Sequence, residues 1–157
     1  MKKNHIYGIA AIVLGGLLFL PLALNAFQMS YADFSEGNSF FYILGNAESG
    51  MPGWATMTLL TAIVGIIAAA LLIIVGIMLV ANFKADLLMG KIFLFGVTAI
   101  GATVLLFGLI TGIMYWADDM NTAPISFGPG AGMWILWVLS IFTIACPWVL
   151  KFLVKKN

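Results

Sequence analysis

Four long apolar runs, Ile6 to Ala26, Trp54 to Ala81, Ile92 to Trp116 and Ala131 to Leu150, constrain this 157-residue chain more than any other feature. Crossing about 30 Å of hydrocarbon takes about 20 helical residues, and each run is long enough. Backbone amides and carbonyls have no water to bond in lipid, so each run must pair its own polar groups and is predicted to be a helix. Only 8% of the residues are charged and 63% are hydrophobic, with a mean hydropathy of +1.12. Soluble domains carry roughly 25% charge. The expected fold class is therefore all-α, a four-transmembrane-helix bundle. The longer first outer loop would carry a short strand or an interfacial segment. No polar linker divides the chain, so residues 1–157 are expected to form a single integral membrane domain.

The lysines orient these spans. Lys2 and Lys3 precede the first, Lys84 and Lys91 separate the second from the third, and Lys151, Lys155 and Lys156 end the fourth. By the positive-inside rule both termini and the central turn are expected in the cytoplasm, which suits a multi-pass protein of the cell (cytoplasmic/plasma) membrane. The outer loops, 27–53 and 117–130, then hold Asp33, Glu36, Glu48, Asp118 and Asp119. The aromatics Trp54, Tyr115, Trp116 and Trp134 fall near the outer boundary, and Phe83, Trp148 and Phe152 near the inner one, as interfacial belts require. The first run also resembles a signal peptide, but it is longer than a usual signal core. Leu24 also stands where cleavage before Phe27 would want a small residue, so a retained signal anchor is expected.

Most chemistry lacks its residues. The chain has no arginine and no basic stripe on a soluble face, which excludes nucleic acid as a partner. One cysteine, Cys146, and one histidine, His5, are too few for a disulfide or a typical zinc site. No cofactor or metal is implied. His5 is expected inside and most acids outside, so no Ser, His and Asp set can converge, and no catalytic residue is assigned. No ionisable residue lies in the middle of a span, where proton relays and ion-coupled sites need one. The adjacent acids of WADD, Asp118 and Asp119, read as a solvated helix end that helps to set topology.

What remains is packing and surface. Gly65 and Gly76 are eleven residues apart, and Gly90, Gly101 and Gly112 repeat the interval. Eleven residues make about three helical turns, so each set lines one face. Gly108 and Gly112 form a small-xxx-small pair, with Gly96 on the same helix. Such faces admit close backbone approach, which replaces the hydrophobic drive that helices lack in lipid. The span hydroxyls Thr56, Thr58, Thr61, Thr98, Thr103, Thr111, Ser140 and Thr143 are expected to bond to the preceding turn or a neighbouring helix. In the first outer loop SFFYIL, Ser39 to Leu44, is strand-like in composition without alternation, and would equally rest on the lipid interface. Phe40, Phe41, Tyr42 and Trp54, with Trp116, Asp118 and Asp119, make a candidate outer interaction surface. In FGPGAGMWILW, Gly128, Pro129, Gly130 and Gly132 are read as a re-entry hinge into the fourth helix. The stretch follows no strand by pattern and carries no basic residue, so it is not a phosphate loop.

GAGMWILWVLS, Gly130 to Ser140, is similar to the re-entry segment of claudin/PMP-22-like tetraspan membrane proteins. So is the arrangement of four helices, inside termini, a longer first outer loop and a shorter second one. That family's first outer loop typically has a Trp, Gly-Leu-Trp and paired-cysteine pattern. Here the loop has no cysteine and its sole tryptophan, Trp54, is at its end, so the family's adhesive role does not carry over. The expected function is that of a non-catalytic membrane protein acting by lateral association, as an accessory or structural subunit of a complex or as a homo-oligomer. Its partners would be the lipid bilayer and other membrane subunits or itself. The alternative is a channel or carrier for an uncharged or lipid-like solute, working as an oligomer with the hydroxyls of spans two and three as its lining.

Overall fold

The computed structural model describes residues 3–31, 34–83, 88, 91–117 and 125–155. Four long helices cross between two ends: α1 (Lys3–Ala23), α3 (Gly53–Val80), α4 (Lys91–Trp116) and α5 (Ala131–Lys155). All four are long and apolar enough to span a membrane, and α1 begins and ends three residues before the expected first run. Lys3, Lys91 and Lys151 lie toward one end of the bundle. At the other, strands β1 (Phe27–Tyr31), β2 (Phe34–Glu36) and β3 (Ile125–Pro129) and the short helix α2 (Phe40–Gly45) form a cap.

The sheet runs β2-β1-β3 and is antiparallel throughout. β3, from the second connection, thus adds an edge to a pair made by the first. Its register sets Phe27 opposite Pro129 and Met29 opposite Phe127. Phe27, Met29 and Phe127 face the bundle, while Gln28 and Ser126 are exposed, the period-two pattern of a sheet with one wet face. SFFYIL, for which the sequence leaves a strand or an interfacial segment open, holds a helix, and the strands of the first connection lie before it. The Ser39 hydroxyl accepts from the Tyr42 amide at 3.1 Å, an N-cap, and Phe40 and Ile43, three apart, are the two residues α2 buries.

Within the membrane-spanning part, α1 and α3 pack most intimately. Gly8, Ala11, Gly15, Leu18 and Leu22 recur at spacings of three and four on α1 and are buried. A β-carbon at Gly8 would lie 2.7 Å from the Gly76 carbonyl oxygen, and one at Gly76 would lie 2.6 Å from that of Gly8. These two backbones therefore touch. Across α3 and α4, Thr61 and Thr111 share a hydrogen bond of 2.7 Å, and Thr58 bonds Tyr115. Toward the lysine end Tyr7 and Phe93 meet edge to face at 5.1 Å, tying α1 to α4. Nearby, Asn4 Nδ2 donates to the Leu79 carbonyl at 3.1 Å and to Asn82 Oδ1 at 2.8 Å. Asn82 closes α3 in the left-handed region, φ 58°, where its short polar side chain is tolerated.

Candidate functional site

The cap is built on four rings. Phe27 lies 5.0 Å from Trp54 and 5.3 Å from Phe127, and Phe127 lies 5.1 Å from Trp54 and 5.3 Å from Tyr115. Each comes from a different element: β1, the first turn of α3, β3 and the last turn of α4. Their inclined packing adds about 0.5–1.5 kcal/mol per pair beyond area burial. Beside them, between the sheet and α2, is a cavity of about 700 Å³ whose lining includes Asn38, Glu36 and Tyr42.

A second aromatic group flanks the start of α5. Trp134 and Trp137 sit 4.7 Å apart, with Trp116 at 6.3 and 6.2 Å from them. The Trp137 ring lies over the pair Gly108 and Gly112: β-carbons there would come within 2.9 Å of its Nε1 and Cη2 respectively. That small-xxx-small pair seats an indole instead of a helix backbone. Gly101 does receive a backbone, 3.0 Å from the Ser140 carbonyl oxygen, and Gly65 receives Leu22 at 3.3 Å. Gly90 lies outside the described residues, and Gly96 faces open space. Gly8 and Gly15, the glycines at the closest α1–α3 approach, were not in the predicted set; their signal is the seven-residue interval running on to Leu22.

The residues predicted as an outer surface divide. Phe41, Tyr42 and Trp116 are exposed, but Phe40 is fully buried as an anchor of α2, and Trp54 is half-buried in the ring cluster. Tyr115, expected in an interfacial belt, is also fully buried in that cluster. Asp118 and Asp119 lie outside the described residues. The predicted hinge is a strand followed by a weld. Gly128 and Pro129 belong to β3, and the amides of Gly130 and Gly132 donate to the carbonyls of Ala26 and Asn25 at 2.9 and 2.8 Å. A β-carbon at Gly132 would stand 2.5 Å from the Pro21 carbonyl oxygen, so only glycine permits this approach.

The hydroxyls are spent internally. Thr58, Thr98, Thr103, Thr111, Ser140 and Thr143 each donate to the carbonyl four residues before, at 2.7 to 2.9 Å. A shallow apolar groove of about 310 Å³ runs between the middles of α3 and α4 on the exterior of the bundle, its lining including Ile67, Ala68, Leu71, Ala99 and Thr103. Among the described residues no three His, Cys, Asp or Glu side chains come together.

This architecture defines a multi-span membrane protein built on four apolar helices. Comparison of the chain with protein-family models, with curated proteins and with solved structures finds no match.

Proposed function

We propose that the protein is non-catalytic and works by lateral association in the membrane, as a subunit of a larger complex or with copies of itself. The observation that carries this reading is the α3–α4 groove. Ala68, Ala99 and Thr103 keep its floor low, and Gly96 continues the small face one turn further along α4. Small residues on a lipid-facing surface give another helix a place to pack closely, the main source of helix association in lipid. The large exposed side chains of its lining, Ile67 and Leu71, would lie against the incoming helix. The lysines at the opposite end from the sheet support cytoplasmic termini and an outward cap. The likeness to the claudin/PMP-22 type is proposed for topology alone. With the hydroxyls of α3 and α4 engaged as described, no observation favours the carrier.

The test is cysteine crosslinking in native nanodiscs. Ala99→Cys in a Cys146→Ser background should yield a crosslinked dimer or hetero-complex, and Ala99→Phe should abolish the assembly while the chain stays folded. A monomer that crosslinks to nothing would refute the proposal.

A further inference from the structure

The cap cavity has a chemistry that the bundle's packing does not require. Phe27, Trp54 and Phe127 contribute to its lining, their ring planes inclined at 69°, 65° and 57° to one another instead of stacked. Tyr42, on α2, adds a fourth aromatic residue to the lining. Among the described residues of the lining Glu36, exposed on β2, is the single charged one, and Asn25, Ser35 and Asn38 add uncharged polar groups. At about 700 Å³ the space falls within the range of small-molecule pockets and is far larger than a water site.

The sign of the charge is also settled by sequence. The two connections that make this end, 27–53 and 117–130, contain five of the six acids and no lysine. Such a distribution repels anions and concentrates cations. A hard divalent ion is a poor fit, because it wants six or more oxygens, mostly from carboxylates, and Glu36 is the one carboxylate among the described lining residues. A bulky, weakly hydrated cation fits both halves of the lining. Its alkyl groups lie against ring surfaces whose quadrupoles attract positive charge, and a carboxylate meets its field at the rim.

We propose that this cavity binds an alkylated ammonium group, of the size and kind carried by choline. At a membrane surface that group comes from two sources, the headgroup of a zwitterionic lipid or a free solute, and the cavity's chemistry is the same for both.

The experiment uses the full-length protein in nanodiscs of phosphatidylglycerol, a lipid without an ammonium group, with radiolabelled choline as the probe. Saturable binding is expected, displaced by tetramethylammonium but not by 3,3-dimethylbutan-1-ol, its neutral counterpart in shape. Glu36→Gln and Tyr42→Ala, both at exposed positions, should each weaken binding by about tenfold while circular dichroism stays unchanged. Repeating the titration in phosphatidylcholine discs separates the sources. Apparent affinity falls if lipid headgroups occupy the cavity, and holds if the ligand is a free solute. The proposal is overturned by an absence of saturable binding in phosphatidylglycerol, by equal competition from the neutral alcohol, or by wild-type affinity in Glu36→Gln.

Discussion

Adjacent glycines on α1 allow the close-packing argument to be tested with its main confounder removed. Gly15 faces α3: a β-carbon there would lie 2.7 Å from the Ala69 carbonyl oxygen, 2.7 Å from Ile73 Cγ1 and 3.2 Å from the Ile73 amide nitrogen. Ordinary contact begins at 3.4 Å, so the shortfall is about 0.7 Å. Two of those three atoms are backbone, and Ile73 is β-branched with a stiff χ1, so the strain is relieved mainly by moving the helices apart. A gap of 0.5–1 Å forfeits about a quarter to a half of each dispersion contact across the interface, and overpacking of this kind costs about 1–3 kcal/mol. Gly16, one residue on, meets nothing within 4 Å. Alanine at either position gains about the same helix propensity, roughly 0.8–1 kcal/mol. Subtracting one variant from the other therefore isolates the steric cost. Gly16→Ala should be neutral or stabilising, and Gly15→Ala should be less stable than Gly16→Ala by about 1–3 kcal/mol, roughly 5- to 150-fold in the unfolding constant. Reversible unfolding by SDS in mixed micelles, followed by tryptophan fluorescence, measures both. Equal stability of the two variants, or a more stable Gly15→Ala, would refute the packing described for α1 and α3.

Three further outcomes follow from other contacts. Gly112→Ala should destabilise by about 1–3 kcal/mol through its clash with the Trp137 indole, and Trp137→Leu in the same chain should recover part of that loss; in the same SDS titration, strictly additive losses would mean that Gly112 does not seat the ring. Thr61→Val and Thr111→Val should each cost about 0.6 kcal/mol, and the double variant little more than either alone, because both remove one shared bond. Cysteines replacing Ser30 and Ser126, Cα partners across β1 and β3, should close a disulfide under mild oxidation in a Cys146→Ser background, measured as loss of two maleimide-reactive thiols; persistent free thiols would contradict the register that joins the two connections.

The spans were legible because length and apolarity alone decide them: no other structure places more than twenty apolar residues in lipid with every backbone group paired. Gly65, Gly76 and Gly101 were legible from spacing, since a helical period puts them on faces where any close neighbour must lie. Gly8 and Gly15 share their stripe with leucine and alanine, so a search for glycine intervals passes over them. The strands were not legible for a different reason. Phe27 to Tyr31 is only five residues long, and what makes it a strand is a partner supplied by the other connection. The candidate cavity inherits that limit, because Phe27 and Phe127 meet only once the sheet has formed. By contrast Ser39, a capping residue ahead of Phe40 and Ile43, carried a local helix signal that the aromatic composition of SFFYIL obscured.

The cap also explains how a bundle with an almost wholly apolar exterior is held in one arrangement. Between helices inside lipid there is no hydrophobic drive, because the acyl chains are as apolar as leucine. The α1–α3 and α4–α5 pairs therefore depend on close approach at Gly8, Gly76 and Gly101 and on the Trp137 seat. At the sheet end the environment changes. Phe27, Trp54, Tyr115 and Phe127 leave water or the wet interface when they assemble, and burial there supplies a drive of about 25 cal/mol per Å² that the spans lack. Each ring belongs to a different element, so burying them fixes α3 against α4 and draws the two connections together. The Gly130 and Gly132 amides then tie the start of α5 to the end of α1 through the carbonyls of Ala26 and Asn25. The glycine-rich stretch ahead of α5 is thus the rigid closure between the two helix pairs. Its glycines are required by the approach of another chain segment, because a side chain at 130 or 132 would occupy space already taken by the backbone of residues 21–25.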